Sequence, residues 1–329
     1  MLRENAGIID ISNFARYEVR GPGAEDWLNR LLANRMPTQI GRSCLSPLIG
    51  KRGGVAGDFT VTRLAEDEFL MIGSGMAERF HQRFFAAVPL PEGTSFRSVT
   101  TEMAGFNVAG PKSRALLATC TDADLSTGAF PFMRSQRIKV AGVDVVALRV
   151  SFTGDLGWEL HCAEADQLTL YRALIEAAPA FGAGPVGSRA LGSLRIEKGY
   201  GSFTREYSPE YWPQESGLAG LIKLDKGDFL NRGAYLAVRD RPARDRLVQI
   251  AIEATIADAS GGEPVFLTDG TPVGQVSSGA YGYSVGRSLA LAYVKVGMAS
   301  PGDRVHVAIL GQMHEAEILT RPPFDPEGK

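Results

Sequence analysis

A carboxylate among glycines is the first candidate for chemistry in this sequence. Asp58 directly follows the glycine-rich run Gly53-Gly54-Val55-Ala56-Gly57. Glycine allows a backbone to come close to a ligand, so a carboxylate at this position can face a cleft. An aspartate at a turn can also accept local backbone hydrogen bonds and do nothing else. Spacing alone leaves both interpretations of Asp58 open.

A second carboxylate stands in apolar surroundings. Glu159 lies between Trp158 and Leu160, directly after a glycine-containing turn. Burying a carboxylate is costly unless it is paired. Glu159 could pair with Arg195 inside the protein, or it could hold a ligand with two adjacent N–H donors, as the edge of a pterin or a guanine has. The sequence pattern does not decide between these alternatives.

Strands and helices without a regular period must position these side chains. Hydrophobic spacing predicts strands at residues 55–64, 69–72 and 145–152, the first two joined as a hairpin, and helices at residues 24–32, 77–87, 166–178 and 187–198. The order strand, Gly-Pro, helix occurs at Gly21-Pro22 and again at Gly110-Pro111. This repetition hints at an internal duplication.

The last part of the chain differs in character. Residues 239–246 form a charged, proline-containing hinge, and beyond it short apolar runs alternate with turn signals. Such spacing predicts a small antiparallel barrel or sandwich. We therefore expect two domains, residues 1–240 and residues 241–329.

Composition excludes several classes of function. The chain has 329 residues, of which 44% are hydrophobic and 22% charged, which argues against disorder. With 35 basic and 37 acidic residues, no excess of positive charge favours nucleic acid or an anionic membrane. Without a signal-like N-terminus or a long apolar run, we expect a cytoplasmic protein that does not bind membranes. Three scattered cysteines and four scattered histidines predict neither a disulfide framework nor a metal site.

Nucleotide and hydrolase fingerprints are missing. The sequence contains no GxxxxGK[ST], no GxGxxG that opens a helix after a strand, and no nucleophile elbow, because its GxSxG match, Gly282-Tyr283-Ser284-Val285-Gly286, does not lead from a strand into a helix. These absences argue against a kinase, a dinucleotide-dependent oxidoreductase and a serine hydrolase.

An ordered series of segments carries a family resemblance. It includes Val19-Arg20-Gly21-Pro22-Gly23, Arg52-Gly53-Gly54 with Asp58, Thr153-Gly154-Asp155-Leu156-Gly157-Trp158-Glu159, and Ser193-Leu194-Arg195-Ile196-Glu197-Lys198-Gly199-Tyr200. In this order, over nearly the whole chain, they resemble the glycine-cleavage T-protein family of folate-binding aminomethyltransferases. The last two segments look most similar to the folate domains of dimethylglycine and sarcosine dehydrogenases or oxidases.

The resemblance implies an α+β, T-protein-like folate-binding fold. Two interleaved α/β subdomains would occupy residues 1–240, and an antiparallel β-barrel domain residues 241–329. Asp58 matches the catalytic aspartate beside the reactive edge of tetrahydrofolate, and Glu159 matches the glutamate that grips the pterin. The other positions carried over as folate-binding are Phe152, Leu45, Ile72, Ser74 and Arg195, the last with a structural role as its alternative.

The implied function is one-carbon transfer to tetrahydrofolate from a small methylated amine or a related donor. The related dehydrogenases carry a flavin domain ahead of this region, so amine oxidation is expected from a separate flavin-dependent or demethylating protein. One alternative is an O- or S-demethylase that yields methyl-tetrahydrofolate. Another is a non-catalytic folate-binding accessory protein, but relatives of that kind resemble a Lys-Gly-Cys pattern where this chain has Lys198-Gly199-Tyr200. Gly50-Lys51 and Leu191-Gly192 depart from the family pattern and make glycine cleavage itself doubtful.

Overall fold

The computed structural model describes residues 1–327. The strands, numbered in chain order, are β1 (Gly7–Asp10), β2 (Ala15–Arg20), β3 (Ser43–Ile49), β4 (Val55–Ala65), β5 (Glu68–Gly73), β6 (Ser95–Ser98), β7 (Met103–Ala109), β8 (Ser135–Val140), β9 (Val143–Leu148), β10 (Gly157–Ala163), β11 (Gly184–Pro185), β12 (Asp245–Ile252), β13 (Pro264–Phe266), β14 (Pro272–Gly282), β15 (Arg287–Lys295), β16 (Arg304–Ile309) and β17 (Gln312–Ile318). The α-helices are α1 (Ala24–Leu31), α2 (Glu78–Phe85), α3 (Ser113–Ala118), α4 (Gln167–Ala177), α5 (Ser188–Glu197) and α6 (Arg232–Arg239).

The first of two compact units contains two sheets. It is formed by residues 1–48, 57–188 and 221–230. One sheet has the strand order β11-β1-β7-β10-β9-β8, and the other has the order β3-β4-β5-β2-β6. The predicted hairpin forms as β4 and β5 of the second sheet. Both sheets are mainly antiparallel, which agrees with the expected α+β class.

The predicted repetition of strand, Gly-Pro and helix is present in both sheets. Strand β2 leads through Gly21 into α1, and β7 leads through Gly110 into α3. The two glycines have similar backbone angles, φ +116° and +122°. A Cβ atom at either one would collide with a backbone carbonyl oxygen, that of Gly93 or that of Leu2, so both turns require glycine.

Each sheet of the first unit buries one face against helices. In the first sheet, Trp158 and Leu160 of β10 pack with Phe106 of β7 and with residues of α3 and α4. In the second sheet, Tyr17 of β2 and Phe59 of β4 contact Phe85 of α2 edge-on or at a tilt. Because strand side chains alternate between faces, the residues next to these core positions along β10 and β4 lie on the face that each sheet turns away from its helices.

The second unit contains a closed barrel, which confirms the barrel that the resemblance implied and decides between the barrel and the sandwich that strand spacing left open. This unit is formed by residues 49–56, 189–220 and the described part of 231–329. The barrel has the strand order β12-β15-β14-β13-β16-β17. Its last strand, β17, was not predicted, because Glu315 and Glu317 interrupt the apolar pattern while Ala316 and Ile318 face the core.

One strand of the first unit is shorter than predicted, and the barrel begins inside the predicted hinge. The strand predicted at 145–152 ends at Leu148 in the structure. Beyond it the Ser151 and Thr153 hydroxyls hydrogen-bond to each other at 2.7 Å, and the Ser151 hydroxyl accepts from the Thr153 backbone N–H, which makes a turn. The first barrel strand begins at Asp245. The domain boundary near residue 240 stays a prediction.

Candidate functional site

Asp58 lies on β4 in the first unit, at a point where the backbone is tightly packed. A Cβ atom on the preceding Gly57 would lie 2.8 Å from the Phe59 ring and 3.0 Å from Nε2 of His81. Phe59 and Val61 face the aromatic core, so the alternation places Asp58 on the other face of the sheet. Asp58 is half-buried there.

Burial changes the acidity of Asp58. Desolvation raises the pKa of the Asp58 carboxyl to about 6, and a hydrogen bond from its own backbone N–H opposes the rise. A carboxyl group that titrates near neutral pH is suited to accept a proton and also to stabilise a developing positive charge.

Three further predicted residues share the face of Asp58. Thr60 pairs with Ile72 across β4 and β5, and continuing this register by two residues places Asp58 beside Ser74. On β3, the Ser43 hydroxyl hydrogen-bonds to that of Thr62, which marks the same face. Leu45 follows Ser43 by two residues and therefore lies on this face as well, with 49% of its surface exposed.

Glu159 lies on β10 of the first sheet, between Asn107 of β7 and Leu148 of β9. Its side chain retains 16% exposure. The face that carries Glu159 meets the face that carries Asp58, because Leu148 and Val146 pack in one cluster with Leu70 and Ile72. We call the side chains of these two facing surfaces the inter-sheet layer. The structure thus brings Asp58 and Glu159, a hundred residues apart in the chain, to the same layer.

Phe152 stands at the margin of the inter-sheet layer. Two residues earlier, Val150 packs against the cluster of Ile72 and Leu148, and its carbonyl accepts a hydrogen bond from the Asn107 side chain at 3.3 Å. Phe152 itself is half-buried in the turn that follows. Its contact with a folate stays a prediction, as do those of Leu45, Ile72 and Ser74.

Arg195 has its partners within the second unit. Its guanidinium donates to the Glu206 carboxylate at 2.7 Å and to the Tyr200 carbonyl at 2.9 Å. Glu159, in the first unit, has His161 as its partner instead. These contacts support the structural role for Arg195, and a folate contact of this residue stays a prediction.

Two residues that sequence reasoning missed complete the surroundings of Glu159. His161 is buried and lies two positions further along β10, on the same face. Its Nε2 lies 3.3 Å from a Glu159 carboxylate oxygen, and its Nδ1 accepts from Nε of the buried Arg16 at 3.2 Å. The available signal was the alternate spacing of Glu159 and His161, which places both side chains on one face of a strand.

The described residues contain neither a metal-ion cluster nor a membrane-spanning helix. Among residues 1–327, no group of three or more His, Cys, Asp or Glu side chains is arranged to hold a metal ion. Over the same residues, no helix combines the length and the apolar character that crossing a bilayer requires.

The chain combines a two-sheet unit, which carries Asp58 and Glu159, with a unit that contains a six-stranded barrel. An aminomethyltransferase of known structure shares this architecture. The family model of the GCVT N-terminal domain matches residues 1–226, and that of the glycine cleavage T-protein C-terminal barrel domain matches residues 246–325. The chain belongs to the glycine cleavage T-protein family, which confirms the resemblance and the expected fold class.

Individual relatives agree with this assignment. Mitochondrial dimethylglycine dehydrogenase of Mus musculus is 33% identical over 97% of this chain, and the match covers 37% of that protein. An aminomethyltransferase of Saccharopolyspora erythraea is 30% identical over 98% of this chain and 87% of its own length. The crystal structure of glycine cleavage system aminomethyltransferase T from Bartonella henselae superposes with a TM-score of 0.87 at 24% identity, covering 98% of this chain and 88% of that one.

Proposed function

We propose that this chain transfers a one-carbon unit from a small methylated amine, or a related donor, to tetrahydrofolate. The observation that carries the proposal is the shared layer of Asp58 and Glu159: one carboxylate has a pKa near neutrality, and the other keeps acceptor capacity open. Family membership supports the reaction class.

The residues present fit a reduced folate. Among residues 1–327, the Glu159 carboxylate accepts one hydrogen bond, from His161, so its other oxygen is available to a ligand. A pterin edge presents adjacent N–H donors of the kind that a carboxylate binds strongly. Leu45, which is 49% exposed, offers apolar surface for a flat heterocycle, whereas Ile72 is buried in the cluster with Leu148.

Each carboxylate has its own part in the proposed reaction. Tetrahydrofolate, when bound, supplies the nucleophilic nitrogen that takes up the one-carbon unit. Asp58 stabilises the positive charge that develops at this nitrogen and accepts the proton that it loses as the new carbon–nitrogen bond forms. Glu159 binds the end of the ligand that is distant from the reacting atoms, so that the orientation of the ligand is fixed before the reaction begins.

The donor and a partner protein belong to the same proposal. The chain covers 37% of a dimethylglycine dehydrogenase and matches a similar share of sarcosine dehydrogenase, 38%. We also propose that a flavin-dependent or a demethylating protein delivers an oxidised methylamine as an iminium or an equivalent electrophile.

Binding and product analysis test the proposal. Wild-type protein should bind tetrahydrofolate saturably in anaerobic calorimetry. Dimethylglycine, sarcosine, methylated sulfur compounds and methoxyaromatics are then incubated with tetrahydrofolate and the protein, with and without a flavin-dependent amine oxidase. When the oxidase is present to oxidise the methylamine, mass spectrometry should detect methylene-tetrahydrofolate together with the demethylated amine that leaves, above the level formed without this protein. Methyl-tetrahydrofolate from an O- or S-methyl donor would favour direct demethylation instead, and an absence of saturable binding would overturn the folate site.

A further inference from the structure

A three-residue hydrogen-bonded chain leads from the protein interior to Glu159. Arg16 of β2 is fully buried and donates through Nη1 to the carbonyls of Ser12 and Phe14, both at 3.0 Å. Its Nη2 donates to the Ile11 carbonyl at 2.8 Å, and its Nε donates to Nδ1 of His161. Arg16 is therefore held in one orientation by three backbone carbonyls and one imidazole nitrogen.

The orientation of Arg16 determines the tautomer of His161. A guanidinium N–H can only donate, so Nδ1 of His161 must be the acceptor and carries no proton. The single ring proton of a neutral imidazole then resides on Nε2, which points at the Glu159 carboxylate. Burial lowers the pKa of His161, the hydrogen bond and charge of Glu159 oppose that change, and the charge of Arg16 adds to it, a direction that agrees with the neutral ring that the acceptor role of Nδ1 requires.

Space for this chain of contacts depends on a glycine. Gly105 of β7 pairs directly with His161 of β10. A Cβ atom at position 105 would lie 2.6 Å from Nη2 of Arg16 and 3.0 Å from Nδ1 of His161. The first distance is shorter than real Cβ atoms show and the second is tight, so a side chain at position 105 would displace the guanidinium at the point where it meets the imidazole.

We propose that His161, fixed as the Nε2–H tautomer by Arg16, is a positioning residue that orients Glu159 for the ligand. It occupies one carboxylate oxygen and thereby turns the other toward the bound ring. The inference rests on the folate site proposed above and adds to it the group that prepares Glu159. The same arrangement, in which a neighbouring hydrogen bond orients a group that itself contacts the ligand, is common around metal and catalytic sites.

Substitution of His161 tests the proposal by ligand affinity. His161→Phe keeps a flat ring but has no donor, and His161→Gln restores an N–H at the reach of Nε2. We expect His161→Phe to weaken tetrahydrofolate binding about tenfold in calorimetry, and His161→Gln to recover most of that loss. His306→Phe, in the barrel of the second unit, removes a half-buried histidine elsewhere and should leave affinity unchanged.

A double-mutant cycle separates positioning from general structural damage. In a Glu159→Gln background, His161→Phe should have little further effect on affinity, because the group that it orients is already altered. An equal loss of affinity in both backgrounds would overturn the proposal. Wild-type protein that fails to bind tetrahydrofolate at all would instead overturn the folate site, and the two failures are therefore distinguishable.

A measurement on wild-type protein keeps the proposal falsifiable even where a variant does not fold. Long-range proton–nitrogen spectra of histidine-labelled protein report the tautomer of each of the four histidines. Two rings, His81 and His161, are buried, and the signal that is lost in His161→Gln assigns the second of them. We expect the His161 ring to be neutral with a protonated Nε2, whose resonance shifts when tetrahydrofolate is added. An Nδ1–H tautomer for His161, or an Nε2–H resonance that ligand leaves unmoved, would contradict the proposal.

Discussion

Two carboxylates, one in each unit, have an arginine nearby but differ in how many of their oxygen atoms accept hydrogen bonds. Glu206 of the second unit is fully buried and accepts from Arg195, from the Ser202 backbone N–H at 2.9 Å, and from the hydroxyls of Ser277 and Ser278. Both of its oxygens are occupied. Glu159 of the first unit is partly exposed and reaches Arg16 only through His161. The two carboxylates therefore differ in free acceptor capacity as well as in exposure, and the free capacity of Glu159 is the feature on which its proposed ligand-binding role rests.

The largest loss of stability is expected at Glu206, whose two carboxylate oxygens both accept hydrogen bonds. Glu206→Gln removes the charge that compensates the buried Arg195, and we expect the free energy of unfolding to fall by about 3 kcal/mol. Urea denaturation without ligand measures this loss. The matched change Glu159→Gln should lower stability by less than about 1 kcal/mol, because its site is partly hydrated. Equal losses in the two variants would remove the distinction.

Asp58 should affect rate rather than affinity. Asp58→Asn removes both the negative charge and the proton acceptor, so we expect the rate of one-carbon transfer to fall about a hundredfold or more. Single-turnover measurements use the donor that gives product in the screen above. Tetrahydrofolate affinity should change by less than about threefold. The control is Asp144→Asn, an exposed aspartate of β9 in the same unit, which should react at the wild-type rate.

Glu159 should affect affinity rather than rate. Glu159→Gln replaces a charged acceptor and should weaken tetrahydrofolate binding by about tenfold to a hundredfold in calorimetry, corresponding to about 1.5–3 kcal/mol. Glu164→Gln, an exposed glutamate just beyond β10, is the matched control and should bind normally. A Glu159→Gln variant with unchanged affinity would place the ligand elsewhere in the molecule.

The smallest effect is a pH dependence of stability that originates from Asp58. Its folded-state pKa of about 6 lies above the ordinary value of 3.8, so the folded protein binds this proton more tightly than the unfolded chain does. Between pH 4 and 6 the free energy of unfolding therefore falls as pH rises, by about 1–2 kcal/mol from this group. Asp58→Asn should be more stable than wild type at pH 7, and the difference should vanish near pH 4. Urea midpoints across this range would contradict the assignment if the difference were constant.

Local features of the fold were predictable, but the assembly of the sheets was not. Alternation of Phe59 and Val61 with polar neighbours predicted β4, and helical spacing of Trp27 and Leu31 predicted α1. The pairing of β1 with β7, about a hundred residues later, has no local signature. Strand β3 was not predicted, because Pro47 and two serines interrupt its apolar pattern.

The two acidic residues of the candidate site were predictable from the sequence, but the residues that hydrogen-bond around them were not. Asp58 and Glu159 stood out as charges in apolar or glycine-rich surroundings, which is a signal that one sequence carries. Arg16 gave no such signal, because an arginine in a strand ordinarily faces solvent. Its burial depends on His161 and on the missing side chain at Gly105, and these come together only when the two sheets pack.

The cluster of Leu70, Ile72, Val146 and Leu148 separates the two sheets of the first unit. One acid lies on each sheet, so the volume of these aliphatic side chains contributes to the spacing of Asp58 and Glu159. A change of one methyl group in this cluster therefore alters that spacing while every polar residue of the site stays in place.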